Sequence, residues 1–279
     1  MSQQINRVLA ILEILADEPD GLALGDISTR LGLPKSATHR VLRQLTERDY
    51  VKQDAASQRY WLTMRLAVLG FRYLSATRLN EVCQPVLDQL AQETGELVRM
   101  TVVEGEKLIW VADAQGSRYG LRYDALYGQD VIPYATANGK AWLATLDEAS
   151  AVRIALNEGL GQRAAPAPNT MSSVPQLMEA LQQTRAQGYG IVNEEAEPGI
   201  AAIAVTIAGL HPHDPVVGTV SVAGPVMRLG RERLLAILPS LRQTSTTLAR
   251  LWPIRQHLAP TRTRVSQPVP ADKTQKVSP

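Results

Sequence analysis

Cysteine is almost absent from this chain of 279 residues, which contains one, Cys83. A single cysteine cannot form an internal disulfide, and such a composition is typical of proteins from a reducing compartment. Cys83 falls on the face of an expected helix with no evident base beside it. We therefore interpret it as a structural thiol rather than a nucleophile.

The chain also lacks segments that would carry it into or across a membrane. No apolar run approaches the ~18–20 residues that a spanning helix needs. The first residues do not combine a basic start, an apolar run and a small-residue cleavage site, so no signal peptide is expected. The expectation is a soluble cytoplasmic protein without a membrane partner. Its length suits two domains of ~100–200 residues each.

Excess acidic charge is confined to the middle of the chain. Residues 1–78 carry 11 Lys/Arg and 8 Asp/Glu, residues 79–252 carry 13 and 18, and residues 253–279 carry 5 and 1. A basic end on an otherwise acidic molecule favours a nucleic acid as partner at that end. The alternative is a solvated basic face with no partner.

Residues 22–62 carry the most informative pattern. A short helical pattern over 24–31, a Gly-Leu-Pro turn, a basic helix over 35–48 and two short strands around the loop 54–58 follow one another. That order is typical of a winged helix-turn-helix, whose second helix enters the major groove of DNA. The short helix is expected to begin without a good cap, because Ala23 stands where Ser or Thr is preferred.

The basic helix supplies the candidate DNA-contacting residues. Val41, Leu42 and Leu45 are expected to face the core, and the polar residues are expected to remain outside. Arginine can read guanine bidentately, serine and threonine can bond phosphate or base, and a helix start favours phosphate. The predicted contacts, including one residue of the wing, are Lys35, Ser36, Thr38, His39, Arg40, Arg43 and Arg59.

The rest of the chain predicts a linker helix and then a second domain. A linker helix is expected over 64–78, and the pattern changes from residue 97. A hairpin, helices over 136–146, 147–157 and 174–187, and strands over 189–193, 200–208 and 216–223 are expected, the last two strands being central. Antiparallel strands mixed with helices indicate an α+β fold, not a doubly wound sheet. The closing helix over 230–251 is expected to bury Leu234, Leu235, Ile237, Leu238, Leu241 and Leu248.

These residues resemble the IclR family of bacterial transcriptional regulators over roughly residues 5–252. GLPKSATHRVLRQL (32–45) looks like the family's recognition-helix signature. YATANGKAWLA (134–144), GYGIVNEEAEPGIAAIAV (188–205) and GTVSVAGP (218–225) match effector-domain segments in order. Three ordered signatures are more specific than one motif.

The resemblance implies a domain plan and a function. The plan is a winged helix-turn-helix over 1–63, a linker helix over 64–78, a GAF-like α/β effector-binding domain over 79–252 and a disordered basic tail over 253–279. The implied regulator is a dimer or a dimer of dimers on a palindromic operator in double-stranded DNA. A small organic acid would modulate operator binding, a catabolic operon would be controlled, and no cofactor is expected.

The resemblance also implies an effector pocket. Its residues would be Gly120, Arg122, Tyr123, Thr136, Ala137, Asn138, Val192, Ala202, Ser221 and Ala223. Free backbone N–H groups at the helix start near Thr136 suit an anion, and Arg122 or Arg118 could pair with a carboxylate. The apolar residues and the Tyr123 ring favour a larger carboxylate, aromatic acids included, over glyoxylate or pyruvate. Ordinary core packing is the alternative for each of these residues.

Competing motifs are weak. Residues 159–164 fit G-x-G-x-x-A, but a helical pattern precedes them where a dinucleotide site needs a strand. His211 and His213 could ligate zinc, but they lie in a proline-containing loop with no cysteine nearby. Glu194, Glu195 and Glu197 could serve an enzyme as acids or bases, but a carboxylate cluster at a strand end is usually solvated, and no nucleophile, base and orienting group are assembled. An enzyme with an accessory DNA-binding domain and a constitutive DNA-binding protein therefore remain the alternatives.

Overall fold

The computed structural model describes residues 3–77, 79–117, 121–124, 131–162, 167–208 and 214–251. The chain divides after Thr77 into two compact units, each of which has its own core. Several sequence-based predictions lie outside the described residues. They concern Arg118, Gly120, the pair His211 and His213, and the basic tail.

The N-terminal unit combines helices with a small antiparallel sheet. Its elements are α1 (Gln3–Ala16), β1 (Leu22–Ala23), α2 (Leu24–Arg30), α3 (Lys35–Glu47), β2 (Val51–Gln53), β3 (Arg59–Leu62) and α4 (Arg65–Thr77). The strand order is β1-β3-β2, so β3 is the middle strand. The order of helices and strands confirms the predicted winged helix-turn-helix, to which the structure adds the short strand β1.

The turn between α2 and α3 is built around Gly32. Its φ of +60° lies in the left-handed region, which glycine adopts without steric cost. The amides of Leu33 and Gly32 donate to the carbonyls of Ser28 and Thr29 and close the end of α2. At its other end α2 has no side-chain cap, as Ala23 predicted.

The C-terminal unit is a five-stranded antiparallel sheet with helices on both faces. Its elements are α5 (Leu79–Thr94), β4 (Leu97–Glu104), β5 (Lys107–Gln115), α6 (Ala137–Leu143), α7 (Glu148–Asn157), α8 (Val174–Gln187), β6 (Gly190–Asn193), β7 (Ile200–Ala208), β8 (Val216–Pro225) and α9 (Arg231–Leu251). The strand order is β5-β4-β8-β7-β6, and every pair is antiparallel. The prediction that β7 and β8 are interior strands is confirmed.

The two faces of this sheet support separate cores. Alternate residues such as Val98, Met100 and Val222 pack against α5 and α9. The opposite face packs against α6, and the core beyond it includes Trp142 and Leu181. Strand alternation places every second residue of β4, β8, β7 and β6 on this second face.

The buried face of α9 differs from the prediction at one leucine and at two polar residues. Leu235 is 37% exposed, whereas Thr244 and Ser245 are buried. The Ser245 hydroxyl donates to the Thr206 carbonyl at 2.7 Å, which satisfies its polar group inside the core. Position along the helix, rather than the polarity of the side chain, therefore decides which residues α9 buries.

No helix in the described part of the chain is both long and apolar enough to cross a bilayer.

Candidate functional site

Helix α3 has one buried face and one exposed basic face. Val41, Leu42 and Leu45 are buried, as predicted. Of the residues predicted to contact DNA, those exposed on α3 are Lys35, Ser36, His39, Arg40 and Arg43. Residues three and four apart lie on the same side of a helix, so Ser36, Arg40 and Arg43 form one stripe.

Thr38 is not part of that stripe, and the prediction that it faces outward is wrong. Its exposed fraction is 0%, and its hydroxyl donates to the Pro34 carbonyl at 3.2 Å. Thr38 precedes Val41 by three residues and Leu42 by four, which places it on their face of the helix. The bond to the preceding turn satisfies the hydroxyl there, so Thr38 can be buried.

The wing contributes a second group of cations. Arg59 is exposed, and its Nη1 donates to the Gly21 carbonyl at 3.0 Å. Glycine at position 21 lets this backbone lie directly against β3, because a Cβ there would lie 2.7 Å from the Tyr60 carbonyl oxygen. Lys52 Nζ lies 5.0 Å from the centre of the Trp61 ring, within the range of a cation–π interaction. The N-terminal unit therefore presents exposed cations on both α3 and the wing.

Most of the described residues of the predicted effector pocket meet in one apolar group, which we call the alanine cluster. Tyr123 packs against this cluster from the segment 121–124. Its buried members come from α6, β6, β7 and β8, and they are Ala137, Ala141, Val192, Ala202, Ala204 and Ala223. Five predicted residues, Tyr123 included, are brought together.

Strand register explains why these residues meet. Val192 pairs with Ala202, Ala202 with Ala223, and Ala223 with Leu97, so one row crosses four strands. The adjacent row on the same face contains Gly190, Ala204, Ser221, Arg99 and Asp113. Small side chains fill β6, β7 and β8 in both rows, and the two charged side chains occupy β4 and β5.

Helix α6 lies unusually close to this floor. A Cβ on Gly190 would lie 2.2 Å from the Ala137 carbonyl oxygen and 2.9 Å from the Ala141 nitrogen. Glycine at this position therefore lets the backbone of α6 rest directly on β6. The small residues of β6, β7 and β8 therefore allow close packing of the α6 backbone in addition to forming an apolar floor.

The polar residues at the start of α6 are already bonded within the protein. Thr136 caps the helix by accepting from the Gly139 amide at 3.1 Å. Asn138, which is 2% exposed, donates to the Thr219 hydroxyl at 2.8 Å, and that hydroxyl meets Thr101 at 2.5 Å. The free helix-start amides expected near Thr136 are therefore partly satisfied, which weakens the predicted anion site.

Arg122 does not point a free cation at the cluster. It is 51% exposed, and its Nε lies 2.8 Å from Asp124 Oδ2. The second row instead contains Arg99, whose guanidinium lies 3.5 Å from the centre of the Trp110 ring. Alternation along β4 could have revealed Arg99, because Val98 and Met100 are buried on the other face.

Tyr123 connects the alanine cluster to Glu197, a carboxylate that the sequence pattern predicts to be solvated. Its hydroxyl donates to Glu197 Oε1 at 2.7 Å, across 74 positions of sequence. Burial raises the pKa of Tyr123, and the hydrogen bond and charge of Glu197 raise it further, while the charge of Arg99 opposes the rise. The phenol is therefore neutral at physiological pH and acts as a donor.

A buried ion pair fixes α6 to the loop between β6 and β7. Lys140 Nζ lies 2.6 Å from Glu195 Oε2 and 3.3 Å from the Ile191 carbonyl oxygen. Burial lowers the pKa of Lys140 and raises the pKa of Glu195, against the attraction between them. The predicted alternative of solvated acids in this loop is therefore wrong for Glu195.

Two family models together match most of the chain. The IclR helix-turn-helix domain matches residues 4–55, and the bacterial transcriptional regulator IclR C-terminal domain matches residues 71–250. The HTH-type transcriptional repressor AllR of Salmonella paratyphi A is 31% identical over 89% of each chain. The chain belongs to the IclR family of bacterial transcriptional regulators.

Solved IclR-family structures share the architecture. The IclR transcriptional regulator from Alicyclobacillus acidocaldarius aligns with a TM-score of 0.75 and 26% identity, over 90% of this chain and 99% of that one. An IclR homologue from Microbacterium hydrocarbonoxydans, solved with 4-hydroxybenzoate, aligns with a TM-score of 0.71 and 21% identity, over 90% and 99%. As an IclR-family member, this chain is a DNA-binding transcriptional regulator rather than an enzyme.

Proposed function

We propose that this regulator reads a palindromic operator and that a small organic acid, most simply an aromatic carboxylate, modulates its operator binding. The observation that supports it is a basic stripe on α3 in one unit together with an apolar cluster of small residues in the other. In this proposal Arg40 and Arg43 read base edges, while Lys35, Ser36 and His39 contact phosphate or base. Arg59 contacts the DNA backbone or minor groove from the wing.

Substitution of Arg40 and Arg43 in the α3 stripe tests the DNA-binding part of this proposal. An arginine that contacts a base contributes about 1–3 kcal/mol. The variant Arg40→Ala, Arg43→Ala should therefore bind operator about 30-fold more weakly, or worse, in a gel-shift assay. The control Arg231→Ala, Arg233→Ala removes the same charge from exposed positions of α9 and should bind normally. Unchanged retention of operator by the first variant, with an intact circular dichroism spectrum, contradicts the assignment.

Two copies of the chain are proposed to act together. A single helix-turn-helix buries little surface on DNA, and a palindrome matches the two-fold symmetry of a dimer. The N-terminal unit exposes large apolar side chains on α1 and α4, among them Leu9, Phe71 and Tyr73, at 50%, 66% and 65%. We propose that this face pairs two chains and that the acidic C-terminal unit adds further pairing, as a dimer or a dimer of dimers.

The alanine cluster is the proposed effector pocket. In this proposal the Tyr123 ring forms one wall, and Val192, Ala202 and Ala223, which pack with it in the alanine cluster, form an apolar floor. Ser221, Asn138 and Thr136 would contribute hydrogen bonds, and Gly120 and Arg122 stay predicted lining residues on the basis of the resemblance. Arg99 replaces Arg122 as the proposed partner of the effector carboxylate, because it shares a row with Ser221.

An aromatic carboxylate fits this lining better than a two- or three-carbon acid. An aromatic ring can bury 150–250 Å² against apolar walls, whereas pyruvate has little apolar surface to bury. The structural neighbour solved with 4-hydroxybenzoate supports the same class of ligand. The catabolic operon expected from the resemblance would then be one for aromatic acids.

A thermal-shift assay with a panel of organic acids tests the effector-binding part of this proposal. Benzoate and 4-hydroxybenzoate should raise the melting temperature, and pyruvate and glyoxylate should not. Ala202→Leu fills the floor and should abolish the shift. Ser150→Met is the control, because it narrows a separate cleft of about 470 Å³ beside α7. A shift with pyruvate or glyoxylate alone contradicts the proposal, as does a shift that survives Ala202→Leu but not Ser150→Met.

A further inference from the structure

The contact between Tyr123 and Glu197 places a carboxylate at the edge of the apolar alanine cluster. Tyr123 packs on the alanine cluster, and its hydroxyl lies 2.7 Å from Glu197 Oε1. Neither residue is exposed, since both are intermediate in burial. A molecule bound on the cluster would therefore meet a carboxylate and a neutral phenol at this edge.

Hydrogen bonds within the loop between β6 and β7 fix the backbone that carries Glu197. The Glu194 amide donates to the Ile200 carbonyl at 2.8 Å, and the Glu194 carboxylate accepts from the Gly199 amide at 2.7 Å. Glu194 has a φ of +54°, so the loop accepts some backbone strain to make this turn. Thr170 further ties the loop down by donating to the Glu195 carbonyl at 2.6 Å.

Several charged side chains near this contact are paired with a side chain of opposite charge. Lys140 and Glu195 form an ion pair, and Arg122 pairs with Asp124. Arg99 lies two strands from β7, about 10 Å away at roughly 4.8 Å per strand. Charged groups therefore lie at two places around the alanine cluster: Arg99 on β4, across from Asp113 on β5, and Glu197 in the loop between β6 and β7.

We infer that Glu197, together with Tyr123, determines which chemical group the effector can carry at the end remote from its carboxylate. This inference rests on the proposed function of the alanine cluster. A carboxylate has about four lone-pair sites, so Glu197 can accept from a ligand hydroxyl while it retains Tyr123. The same charge repels a second carboxylate. The effector is therefore a monocarboxylate with a hydroxyl at its far end, and a dicarboxylate is excluded.

Three matched acids test the assignment by isothermal titration calorimetry on the full-length chain. They are benzoate, 4-hydroxybenzoate and terephthalate, which differ only at the far end of the ring. The wild type should bind 4-hydroxybenzoate at least about ten-fold more tightly than benzoate. It should bind terephthalate at least about ten-fold more weakly than benzoate, because like charges are brought together.

Two substitutions of Glu197 separate charge from hydrogen bonding. Glu197→Gln removes the charge and should bring the affinity for terephthalate to that for benzoate. Glu197→Met also removes the acceptor and should abolish the preference for the hydroxyl. Glu93→Gln, on the exposed side of α5, is the matched control and should leave all three affinities unchanged. A general loss of folding would weaken every acid alike and would not change these ratios.

The outcomes distinguish this inference from the proposal on which it rests. If the wild type binds terephthalate as tightly as benzoate, or Glu197→Gln leaves the ratio unchanged, the role of Glu197 is overturned and an aromatic-acid pocket still stands. Likewise, a hydroxyl preference that survives Glu197→Met overturns the role of Glu197. If none of the three acids binds the wild type, the proposed effector class fails and the inference fails with it.

Discussion

Removal of one member of the Lys140–Glu195 pair should destabilise the C-terminal unit far more than removal of both. The two side chains are 7% and 14% exposed, and Nζ lies 2.6 Å from Oε2. Lys140→Met conserves the length of the side chain but leaves the Glu195 carboxylate buried without its counter-ion. Breaking a buried pair in this way costs about 3–5 kcal/mol.

The pKa directions of the two groups indicate why the double variant should recover. Burial is the largest influence on each pKa, lowering that of Lys140 and raising that of Glu195. Both groups are thus shifted toward their neutral forms, so desolvation costs more than the mutual attraction returns. The variant Lys140→Met, Glu195→Met removes both charges and should equal or exceed the wild type in stability.

Thermal melting followed by circular dichroism measures the effect. For a unit of this size, about 1 kcal/mol corresponds to a shift of about 2–4 °C, so each single variant should melt about 6–12 °C lower or more. The control Arg153→Met breaks an exposed pair with Glu106, where the side chains are 50% and 57% exposed. It should leave the melt unchanged. Single variants that match this control, or a double variant that loses the sum of both singles, refute the reasoning.

Three further changes test other parts of the structure. Phe71→Asp should convert the proposed dimer to monomer in sedimentation velocity, because it places a charge among exposed apolar side chains; an unchanged sedimentation coefficient contradicts the proposed pairing of two chains through α1 and α4. Gly190→Ala should cost about 3 kcal/mol through its contact with α6, whereas Gly25→Ala, with its nearest atom at 4.0 Å, should be tolerated. Thr38→Val should leave operator affinity unchanged, and a loss comparable to that of the stripe variant would restore Thr38 as a DNA contact.

Most of the fold could be predicted because its elements carry strong local patterns. The apolar spacing in α3 and the β-branched runs of β7 and β8 are properties of neighbouring residues, which sequence reasoning can use directly. Strand β1 was missed because two residues have no period, and its assignment depends on Tyr60 and Arg59, which are distant in sequence. Leu235 is predicted to be buried because it is apolar. Its angular position on α9 instead leaves it 37% exposed.

Thr38 was misassigned for the same reason. Polar residues of α3 were placed outside, although the three- and four-residue spacing to Val41 and Leu42 puts Thr38 inside. A threonine can be buried cheaply in a helix, because its hydroxyl can bond the carbonyl four residues earlier. The helical period of the sequence is thus sufficient to place Thr38 on the buried face of α3.

Five residues of the alanine cluster are predicted from the resemblance, and the physical cause of the cluster is the small size of its side chains rather than their polarity. Gly190, Ala202, Ala204 and Ala223 occur at every second position of their strands, so one face of three adjacent strands lacks large side chains. A sheet face of this kind can either receive a closely packed backbone, as it does from Ala137, or hold a ligand. Backbone packing accounts for Gly190. It does not account for a tyrosine that packs on the cluster with its hydroxyl on a carboxylate, because an apolar side chain would fill a purely structural core at lower cost. That polar contact is therefore the feature that favours a binding site over a packing defect, and it can be seen only when residues 74 positions apart are brought together.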